Sequence, residues 1–426
     1  GVFAGMNDTT YLHQNLLKNK EVFSDCDQQQ LLLATRTHYL ATKVAYAMDL
    51  TGPCVTVNNA CSTGLTTIAM ACESLTNSSS DMALAGAITI VTPQESGYLY
   101  KESGILSPDG RCAVFDEEAK GTVLSNGCGI VVLKKLSNAL RDNDNILAII
   151  KGWAVNNDGR DKAGFTAPSI KGQVNCIRQA ISHAAIEPTE VEYVEAHGTG
   201  TVLGDPIEVK ALTKGYQSEF DKKNQYCAIG SVKANIGHTD SAAGVAGFIK
   251  TVLALHEKTL PPNIHFSKAN KKIHFQNTTY YVNSETKTWN TQHHKRTAAV
   301  NALGFGGTNA HFILQEAPEI KTSPPKKGNI FILSAKTVPS LTMLVDEFKQ
   351  QILKFSDTAH TEKNLADMAY TLQVGRSHFS YRIAIPYVSY EDLLSSLSDT
   401  LPVAIPNAPP KPRQIIFGFV GQGAQY

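Results

Sequence analysis

The sequence contains eight cysteines but lacks any C-x-x-C pair. Zinc sites and thiol redox sites commonly use such pairs, so their absence disfavours both. A zinc site built from Cys61, His197 and His238 would have no local ligand pair, which argues against it. We therefore predict free thiols in a reducing compartment and no bound metal.

The sequence also lacks an excess of charge of either sign. It has 39 Lys plus Arg against 38 Asp plus Glu, which gives a net charge of +1. This balance produces no long-range field that would favour nucleic acid or an anionic membrane. No apolar run approaches the ~18 residues that a membrane helix needs, and no signal leader opens the chain. We expect a soluble, cytoplasmic protein, and because the sequence begins at Gly1 without Met, we expect its natural N-terminus to lie upstream.

Up to about Pro318 the sequence alternates apolar, strand-like segments with helical ones. Strand-like segments include "DMALAGAITIV", "VEYVEAHG" and "YCAIGSV", and "GQVNCIRQAISHAAI" has helical periodicity. Continuously apolar strands between helices are typical of a mostly parallel or mixed sheet that is covered on both faces. The pattern therefore predicts an α/β fold.

A change of composition predicts a domain boundary near residue 318. The stretch "QEAPEIKTSPPKKGN", residues 315–329, combines proline, charge and small polar residues. We therefore predict a first domain over residues 1–317 and a small α/β unit over residues 318–412. Residues 413–426 contain an apolar strand that enters a glycine turn, which predicts the start of a further domain.

Two predicted helices are rich in small residues, which allow helix backbones to approach closely. The first contains Ala69 and Ala71, and the second contains Ala242, Ala243, Gly244, Ala246 and Gly247. Each helix follows a strand and a polar loop. This shared pattern suggests two equivalent halves of a duplicated unit.

Cys61 lies between a predicted strand, residues 54–58, and the first small-residue helix. Unpaired amides and the dipole at a helix N-terminus lower the pKa of a thiol there, which favours a nucleophile. Most free cysteines, however, are buried packing residues. This segment alone leaves both roles open for Cys61, whereas Cys72, on the apolar stripe of the helix, is predicted to pack.

Two histidines lie in glycine-bearing loops that follow predicted strands. His197 lies in "VEAHGTGTVLGDPIE", and His238 lies in "SVKANIGHTDSAAG", five residues after Lys233. Ligands and catalytic groups collect in the strand-end loops of α/β sheets. His197, His238 and Cys61 are therefore candidates for one active site.

The segment "NALGFGGTNAHFIL" places Gly304, Gly306 and Gly307 around Phe305. Glycine lets backbone amides turn toward a ligand, as an oxyanion hole requires. The segment lacks the G-x-G-x-x-G spacing and runs into a strand, so it is not a dinucleotide site. A tight turn between strands is the alternative, and His311 is predicted to be structural.

Together, "NNACSTG", "VEAHGTGTVLGDP", "SVKANIGHTDSAAGVAG" and "NALGFGGTNAH" resemble the motif set of β-ketoacyl synthase domains from modular polyketide synthases. "VNNDG" and residues 97–123 also resemble this family, particularly the branch of hybrid polyketide and nonribosomal peptide assembly lines. The likeness covers residues 1 to about 317. Residues 318–412 resemble the linker domain that follows such synthases, and residues 413–426 resemble the start of the acyltransferase domain after it.

The resemblance implies a thiolase-like fold of two pseudo-symmetric halves, with part of the N-terminal half absent from this sequence. It implies a homodimer that works with an acyl carrier protein and with the acyltransferase and other domains of the same synthase. No cofactor would be bound, because the phosphopantetheine arm arrives on the carrier protein.

The reaction implied by the resemblance is a decarboxylative Claisen condensation. Cys61 would carry the acyl chain, and malonyl-type acyl carrier protein would extend it by one unit. His197 and His238, as neutral donors, would assist decarboxylation and stabilise the enolate. The remaining implied roles are an ion pair of Lys233 with Glu208, an oxyanion hole of the Cys61 and Phe305 amides, contacts of Thr199, Thr201, Gly306 and Gly307 with the substrate arm, and support from Asn235.

Two alternatives remain at this point. A non-elongating condensing domain would only accept and transfer acyl chains, although such domains often lose one of the histidines that this sequence keeps. A Cys/His thioester hydrolase would account for Cys61 and one histidine. It would leave the second histidine and Lys233 without a role.

Overall fold

The computed structural model describes residues 1–19, 21, 27–102, 104–216, 225–291, 295–319, 329–354 and 361–399. The chain divides into two compact units, residues 1–318 and residues 319–426. The predicted start of a further domain, residues 413–426, lies outside the described residues. Across the ranges that are described, no helix combines the length and the apolar character needed to cross a membrane.

The first unit contains two main sheets. The first sheet is formed by β1 (Val2–Met6), β2 (Cys54–Val57), β3 (Met82–Thr89) and β4 (Gly127–Lys134). Its order is β2-β1-β3-β4, and only the β3–β4 pairing is antiparallel. Ala83, Ala85 and Ala87 alternate along β3 and are buried in the central core. Their small side chains leave room for a helix to lie directly on the sheet.

The second sheet has six strands in the order β5-β12-β11-β6-β7-β9. The strands that follow β4 in the first unit are β5 (Ala148–Asn157), β6 (Val191–Glu195), β7 (Cys227–Gly230), β8 (Thr259–Leu260), β9 (Tyr280–Val282), β10 (Lys287–Thr288), β11 (Thr297–Leu303) and β12 (Thr308–Glu316). Strands β8 and β10 form a separate antiparallel pair. Strands β6, β7 and β11 are almost entirely buried, which explains their continuously apolar sequences.

Helices cover these sheets and also fill the space between them. They are α1 (Gln28–Thr35), α2 (Leu40–Met48), α3 (Thr63–Thr76), α4 (Leu136–Arg141), α5 (Ile170–Ala184), α6 (Gly204–Gly215), α7 (Lys233–Ile236) and α8 (Ala243–His256). Helices α3 and α8 share one core with residues of both sheets. Helices α5 and α6 pack on the opposite face of the second sheet, and α2 packs on the outer face of the first. The unit is therefore layered as helix, sheet, helix, sheet, helix.

Small residues bring α3 and α8 into backbone contact. A Cβ added at Gly64 would lie 2.6 Å from the backbone N of Val245, and one added at Gly244 would lie 2.9 Å from the backbone N of Leu65. The two small-residue helices are thus the buried central pair of the fold.

The two sheets repeat one pattern. Strands β2, β1, β3 and β4 have the same order and directions as β7, β6, β11 and β12. Helix α3 follows β2 in the chain, and α8 follows β7 after residues 231–242, which include the short helix α7. The predicted α/β fold of two pseudo-symmetric halves is confirmed.

The symmetry is broken at the outer edge of β4. Strand β12 pairs with β5, but no described strand pairs with that edge of β4. A cavity of about 730 Å³ lies there, lined by β4, α8 and residues 144–150.

The second unit is a small α/β structure in its described part. Strands β13 (Asn329–Ala335) and β14 (Tyr381–Tyr387) pair antiparallel, and α9 (Val338–Leu353), α10 (Thr361–Val374) and α11 (Tyr390–Asp399) accompany them. Thr337 caps α9, because its side chain accepts a hydrogen bond from the backbone N–H of Ser340. Phe331, Leu341 and Leu365 are buried in its separate core.

We predict that Gly64→Ala destabilises the protein. Alanine in an ordinary helix interior is more stable than glycine by about 1 kcal/mol. At Gly64, however, the added methyl would force the α3 and α8 backbones apart, at a cost of about 1–3 kcal/mol. The midpoint of urea denaturation should fall. Gly97→Ala is the control, because a Cβ there meets nothing within 4 Å, and a Gly64→Ala variant at least as stable as the parent would contradict the prediction.

Candidate active site

Cys61 is buried at the turn between β2 and α3. Ala60 before it adopts a φ of 50°, and the backbone N–H of Asn59 donates to Thr63 Oγ1 at 2.8 Å. Cys61 thus lies at the start of α3, whereas Cys72, on the same helix, belongs to the central core.

The glycine loop between β11 and β12 meets the Cys61 turn. A Cβ at Gly304 would lie 2.5 Å from the carbonyl oxygen of Asn59, so only glycine permits this approach. Gly306 and Gly307 have φ values of 95° and 93°. The Phe305 backbone amide lies close enough to Cys61 to lower the pKa of its thiol, and the Phe305 ring is half-exposed.

The prediction that Cys61 has a lowered pKa is wrong. Burial, followed by the Asp240 carboxylate, raises the pKa of the Cys61 thiol to about 12. The charge of Lys233 and the Phe305 amide oppose this rise without cancelling it. Position at a helix N-terminus is outweighed by removal of the thiolate from water, so Cys61 rests as a thiol.

Two carboxylates on α6 hold the His197 loop. Glu208 accepts hydrogen bonds from the backbone N–H groups of His197 and Gly198 at 2.7 and 2.8 Å. Asp205 accepts from those of Thr199 and Gly200, both at 3.1 Å. Burial raises the pKa of Asp205 to about 7 and raises that of Glu208.

His238 is fixed through both its backbone and its ring. Its N–H donates to the Val123 carbonyl at 2.6 Å, and its carbonyl accepts from Ser125 N–H at 3.0 Å. Its Nδ1 accepts the backbone N–H of Asp240 at 2.9 Å. The proton of the neutral ring is therefore on Nε2.

His197 and His238 meet edge to face, with ring centroids 5.4 Å apart. Burial and the charge of Lys233 hold the pKa of His197 well below its usual range and lower that of His238 to about 3. Both rings are therefore neutral near pH 7. Nδ1 of His197 is buried and has no hydrogen-bond partner among the described residues.

The predicted ion pair between Lys233 and Glu208 is not present. Glu208 instead uses its oxygens for backbone amides and for Asn301 Nδ2, which donates to Oε1 at 2.6 Å. In the described part of the chain, no carboxylate oxygen lies within 4.0 Å of Lys233 Nζ. Burial lowers the pKa of Lys233, although the more distant charges of Glu195 and Glu208 oppose this effect.

Glu195 holds the turn that presents Lys233. Its Oε1 accepts the backbone N–H of Val232 at 2.6 Å. Its Oε2 accepts from the Tyr193 hydroxyl at 2.6 Å and from Lys250 Nζ at 2.8 Å. Both oxygens of the buried Glu195 carboxylate therefore have partners. Glu195 fixes the turn at Val232, and Lys233 is the next residue.

The remaining predicted residues divide into two groups. Thr199 and Thr201 are half-buried, and their hydroxyl oxygens lie 3.1 Å apart. Asn235 is exposed on α7, two residues beyond Lys233. The structure thus brings Cys61, both histidines, Lys233 and the Phe305 amide together, whereas the Asn235 side chain lies at the surface.

Sequence reasoning did not identify three features of this site. Asp240, between His238 and α8, contacts the sulfur of Cys61. Asp205 lies in the motif "VEAHGTGTVLGDPIE". Its position three residues before Glu208 places both side chains on one face of a helix, which could have indicated a shared role. The third feature is a buried hydrogen-bonded chain behind Glu208.

This chain runs from Glu208 through Asn301 and His311 to Tyr216. Asn301 Oδ1 lies 3.3 Å from His311 Nδ1, and His311 Nε2 lies 2.8 Å from the Tyr216 hydroxyl. Because Asn301 donates to Glu208 through Nδ2, its Oδ1 accepts from His311, whose Nε2 then accepts from Tyr216. Burial lowers the pKa of His311 to about 3, so the ring is neutral.

The described residues contain no group of three or more His, Cys, Asp or Glu side chains placed to hold a metal ion.

Three family models match the chain. Residues 1–139 match "Beta-ketoacyl synthase, N-terminal domain", and residues 147–267 match "Beta-ketoacyl synthase, C-terminal domain". Residues 329–397 match "CurL-like, PKS C-terminal".

Curated and solved relatives agree with these matches. The chain is 39% identical to the polyketide synthase PksL of Bacillus subtilis over 94% of its own length and 9% of the relative's. It is 37% identical to the phthioceranic/hydroxyphthioceranic acid synthase of Mycobacterium bovis over 100% of its length and 20% of the relative's. The crystal structure of ketosynthase twelve from the bacillaene polyketide synthase in Bacillus amyloliquefaciens matches with a TM-score of 0.83 and 35% identity, over 93% of this chain and 68% of that one. The chain therefore spans a small part of the curated relatives and about two thirds of the solved one.

We predict that His311 makes stability depend on pH. Its folded pKa of about 3 lies below the ordinary value of 6.5, so the unfolded state binds one more proton between these values. Its contribution is present above pH 6.5 and is lost as the pH falls toward 3, at about 1.4 kcal/mol per pH unit. In His311→Gln, the slope of unfolding free energy against pH, from urea titrations between about pH 4.5 and 6, should be smaller by that amount.

The exposed His256→Gln variant is the control for this comparison. Equal slopes for the parent protein and His311→Gln would contradict the assignment of a buried, neutral His311.

Proposed function

The chain belongs to the β-ketoacyl synthase family, and we propose that it is an elongating ketosynthase, which extends a polyketide chain by one unit through decarboxylative Claisen condensation. The observation that carries this proposal is the meeting of a thiol and two neutral histidines around one buried cation. The charge of Lys233 acts on Cys61, His197 and His238 together. A hydrolase needs only one histidine beside its nucleophile, so the second supports condensation.

In the first half-reaction, Cys61 attacks a thioester on the phosphopantetheine arm of an acyl carrier protein and becomes acylated. The backbone amides of Cys61 and Phe305 stabilise the oxyanion of the tetrahedral intermediate. The Phe305 amide already lowers the pKa of the Cys61 thiol, which supports this role. Loss of one such donor typically costs about 3 kcal/mol.

In the second half-reaction, malonyl-type carrier protein loses carbon dioxide, and the resulting carbanion attacks the acyl group on Cys61. The enolate oxygen then needs hydrogen-bond donors. A neutral imidazole can donate from the ring nitrogen that carries its proton. His238 can donate through Nε2–H, since its Nδ1 is occupied by the Asp240 N–H. His197 stands against it at 5.4 Å between ring centroids and completes the pair.

The substrate arm and the partners follow from this chemistry. Thr199 and Thr201 would hydrogen-bond the phosphopantetheine arm, and Gly306 and Gly307 would line its approach. The proposed chemistry needs no bound cofactor. The partners are an acyl carrier protein and the acyltransferase and other domains of one synthase. A second copy of the chain would form a homodimer, for which the partly exposed edge strand β2 offers one surface.

We predict that an acyl adduct forms on the parent protein and is absent from Cys61→Ala. A short acyl thioester should add its acyl mass to the parent, because Cys61 is the nucleophile, and intact-mass spectrometry measures this. Cys128→Ala, which removes an exposed thiol, is the control and should acylate normally. Rapid hydrolysis with no adduct would overturn the proposal in favour of a hydrolase.

The condensation step is tested on the acylated protein. Addition of malonyl-type acyl carrier protein should release carbon dioxide and give a β-ketoacyl carrier protein. Acylation without this product would identify a non-elongating domain that only transfers acyl chains.

We predict that His197→Ala separates the two half-reactions. The variant should still acylate Cys61, but decarboxylation of malonyl-type carrier protein should fall by about 10²–10³, because an enolate donor is lost. Release of labelled carbon dioxide measures this, with His256→Ala as an exposed control. Decarboxylation at the parent rate would show that His197 does not have this role.

A further inference from the structure

Asp240 is the acidic side chain in contact with the Cys61 thiol. Cys61 Sγ donates a hydrogen bond to Asp240 Oδ1 at 3.7 Å, which is within the range for sulfur. The two residues are 179 positions apart, and the contact arises where the turn before α8 meets the turn before α3. This geometry gives the thiol proton an acceptor before any substrate binds.

The backbone holds Asp240 in this position. Its φ of 43° lies in the left-handed region, which is costly for most residues and least so for Asp and Asn. Its N–H donates to His238 Nδ1 at 2.9 Å. A strained residue that bridges the nucleophile and a site histidine is typical of a functional position.

The neighbouring groups are poorly suited to accept this proton. Nδ1 of His238 is occupied by the Asp240 N–H, and its Nε2 carries the ring proton. Burial lowers the pKa of both histidines, and the nearby charge of Lys233 lowers it further, so both are weak proton acceptors. Among the described residues, no hydrogen bond joins either histidine to Cys61 Sγ. Asp240 is thus the acceptor within reach.

We propose that Asp240 accepts the thiol proton of Cys61 during acylation and returns it to the departing pantetheine sulfur. This inference rests on the proposed function, because it concerns the acylation half-reaction. The Cys61 S–H bond breaks as the sulfur–carbon bond to the acyl group forms, and the proton moves to Asp240 Oδ1. When the tetrahedral intermediate collapses, the carbon–sulfur bond to pantetheine breaks and its sulfur takes the proton from Asp240. The products are acyl-Cys61, a free pantetheine thiol and an ionised Asp240, with no net oxidation or reduction.

The electrostatics of the site support this division of roles. Burial raises the pKa of Asp240, which makes its carboxylate a better proton acceptor than an exposed one. Burial and the Asp240 charge also raise the pKa of Cys61. A resting thiol of this kind needs a base at the moment of attack, whereas a preformed thiolate would not.

Asp240→Asn tests the proposal, because Asn tolerates the left-handed φ but cannot take the proton. Single-turnover acylation by a diffusible acyl thioester, followed by intact mass, should slow by about 10²-fold or more. The thiolate fraction of Cys61, from ultraviolet absorbance against Cys61→Ala, should stay equal or rise, because a negative charge has been removed. Acylation at or above the parent rate would overturn the proposal, as would a loss of acylation accompanied by a lower thiolate fraction.

Two controls make the result specific. Asp49→Asn makes the same change at an exposed residue whose φ is 53°, and it should acylate normally. In the parent protein, acylation should be slower in deuterated water, because the proton moves in the rate-limiting step. An equal or faster rate in deuterated water would indicate a preformed thiolate and would overturn the proposal even if Asp240→Asn failed to fold.

The inference and the proposed function can fail separately. If the parent protein acylates but never condenses, elongation is refuted while the acylation experiment still decides the role of Asp240.

Discussion

The site depends on two carboxylates that lie one turn apart on α6 and accept four consecutive backbone N–H groups. Glu208 takes those of residues 197 and 198, and Asp205 takes those of residues 199 and 200. The loop can therefore turn through positive φ at Gly198 and Gly200 without burying an unpaired donor. Because α6 is anchored in the core of the second sheet, that core sets the position of His197.

The same hydrogen bonds determine how the buried cation acts. Since the Glu208 oxygens are taken by amides and Asn301, they do not neutralise Lys233 in a close pair. Because the site is buried and its effective dielectric constant is low, the charge of Lys233 acts strongly on the groups around it. The Lys233 charge favours the neutral forms of both histidines and opposes the rise in the pKa of the Cys61 thiol. A group first interpreted as half of an ion pair instead adds to the effect of burial at both histidines and opposes it at Cys61.

The strands, the central helices and the three glycine-bearing loops could be predicted because their signals are local in sequence. The direction of the Cys61 pKa could not, since the degree of burial depends on packing that no single segment reveals. Asp240 escaped notice because its contact with Cys61 joins the two halves across 179 residues. The bond between Tyr216 and His311 likewise spans 95 residues. Such partners are set by tertiary structure, and a pattern within one loop does not contain them.

The repeated halves have a consequence for how this chemistry could arise. Cys61 precedes α3, and His238 precedes the turn into α8, so a thiol and an imidazole occupy corresponding points of the two halves. In an ancestor assembled from two identical copies of one half, both points would carry the same residue, because a two-fold axis imposes identity. Joining the halves in a single gene removes that restriction and lets each point diverge alone. Covalent fusion is therefore what allows one corner of the fold to hold a thiol while its counterpart holds an imidazole.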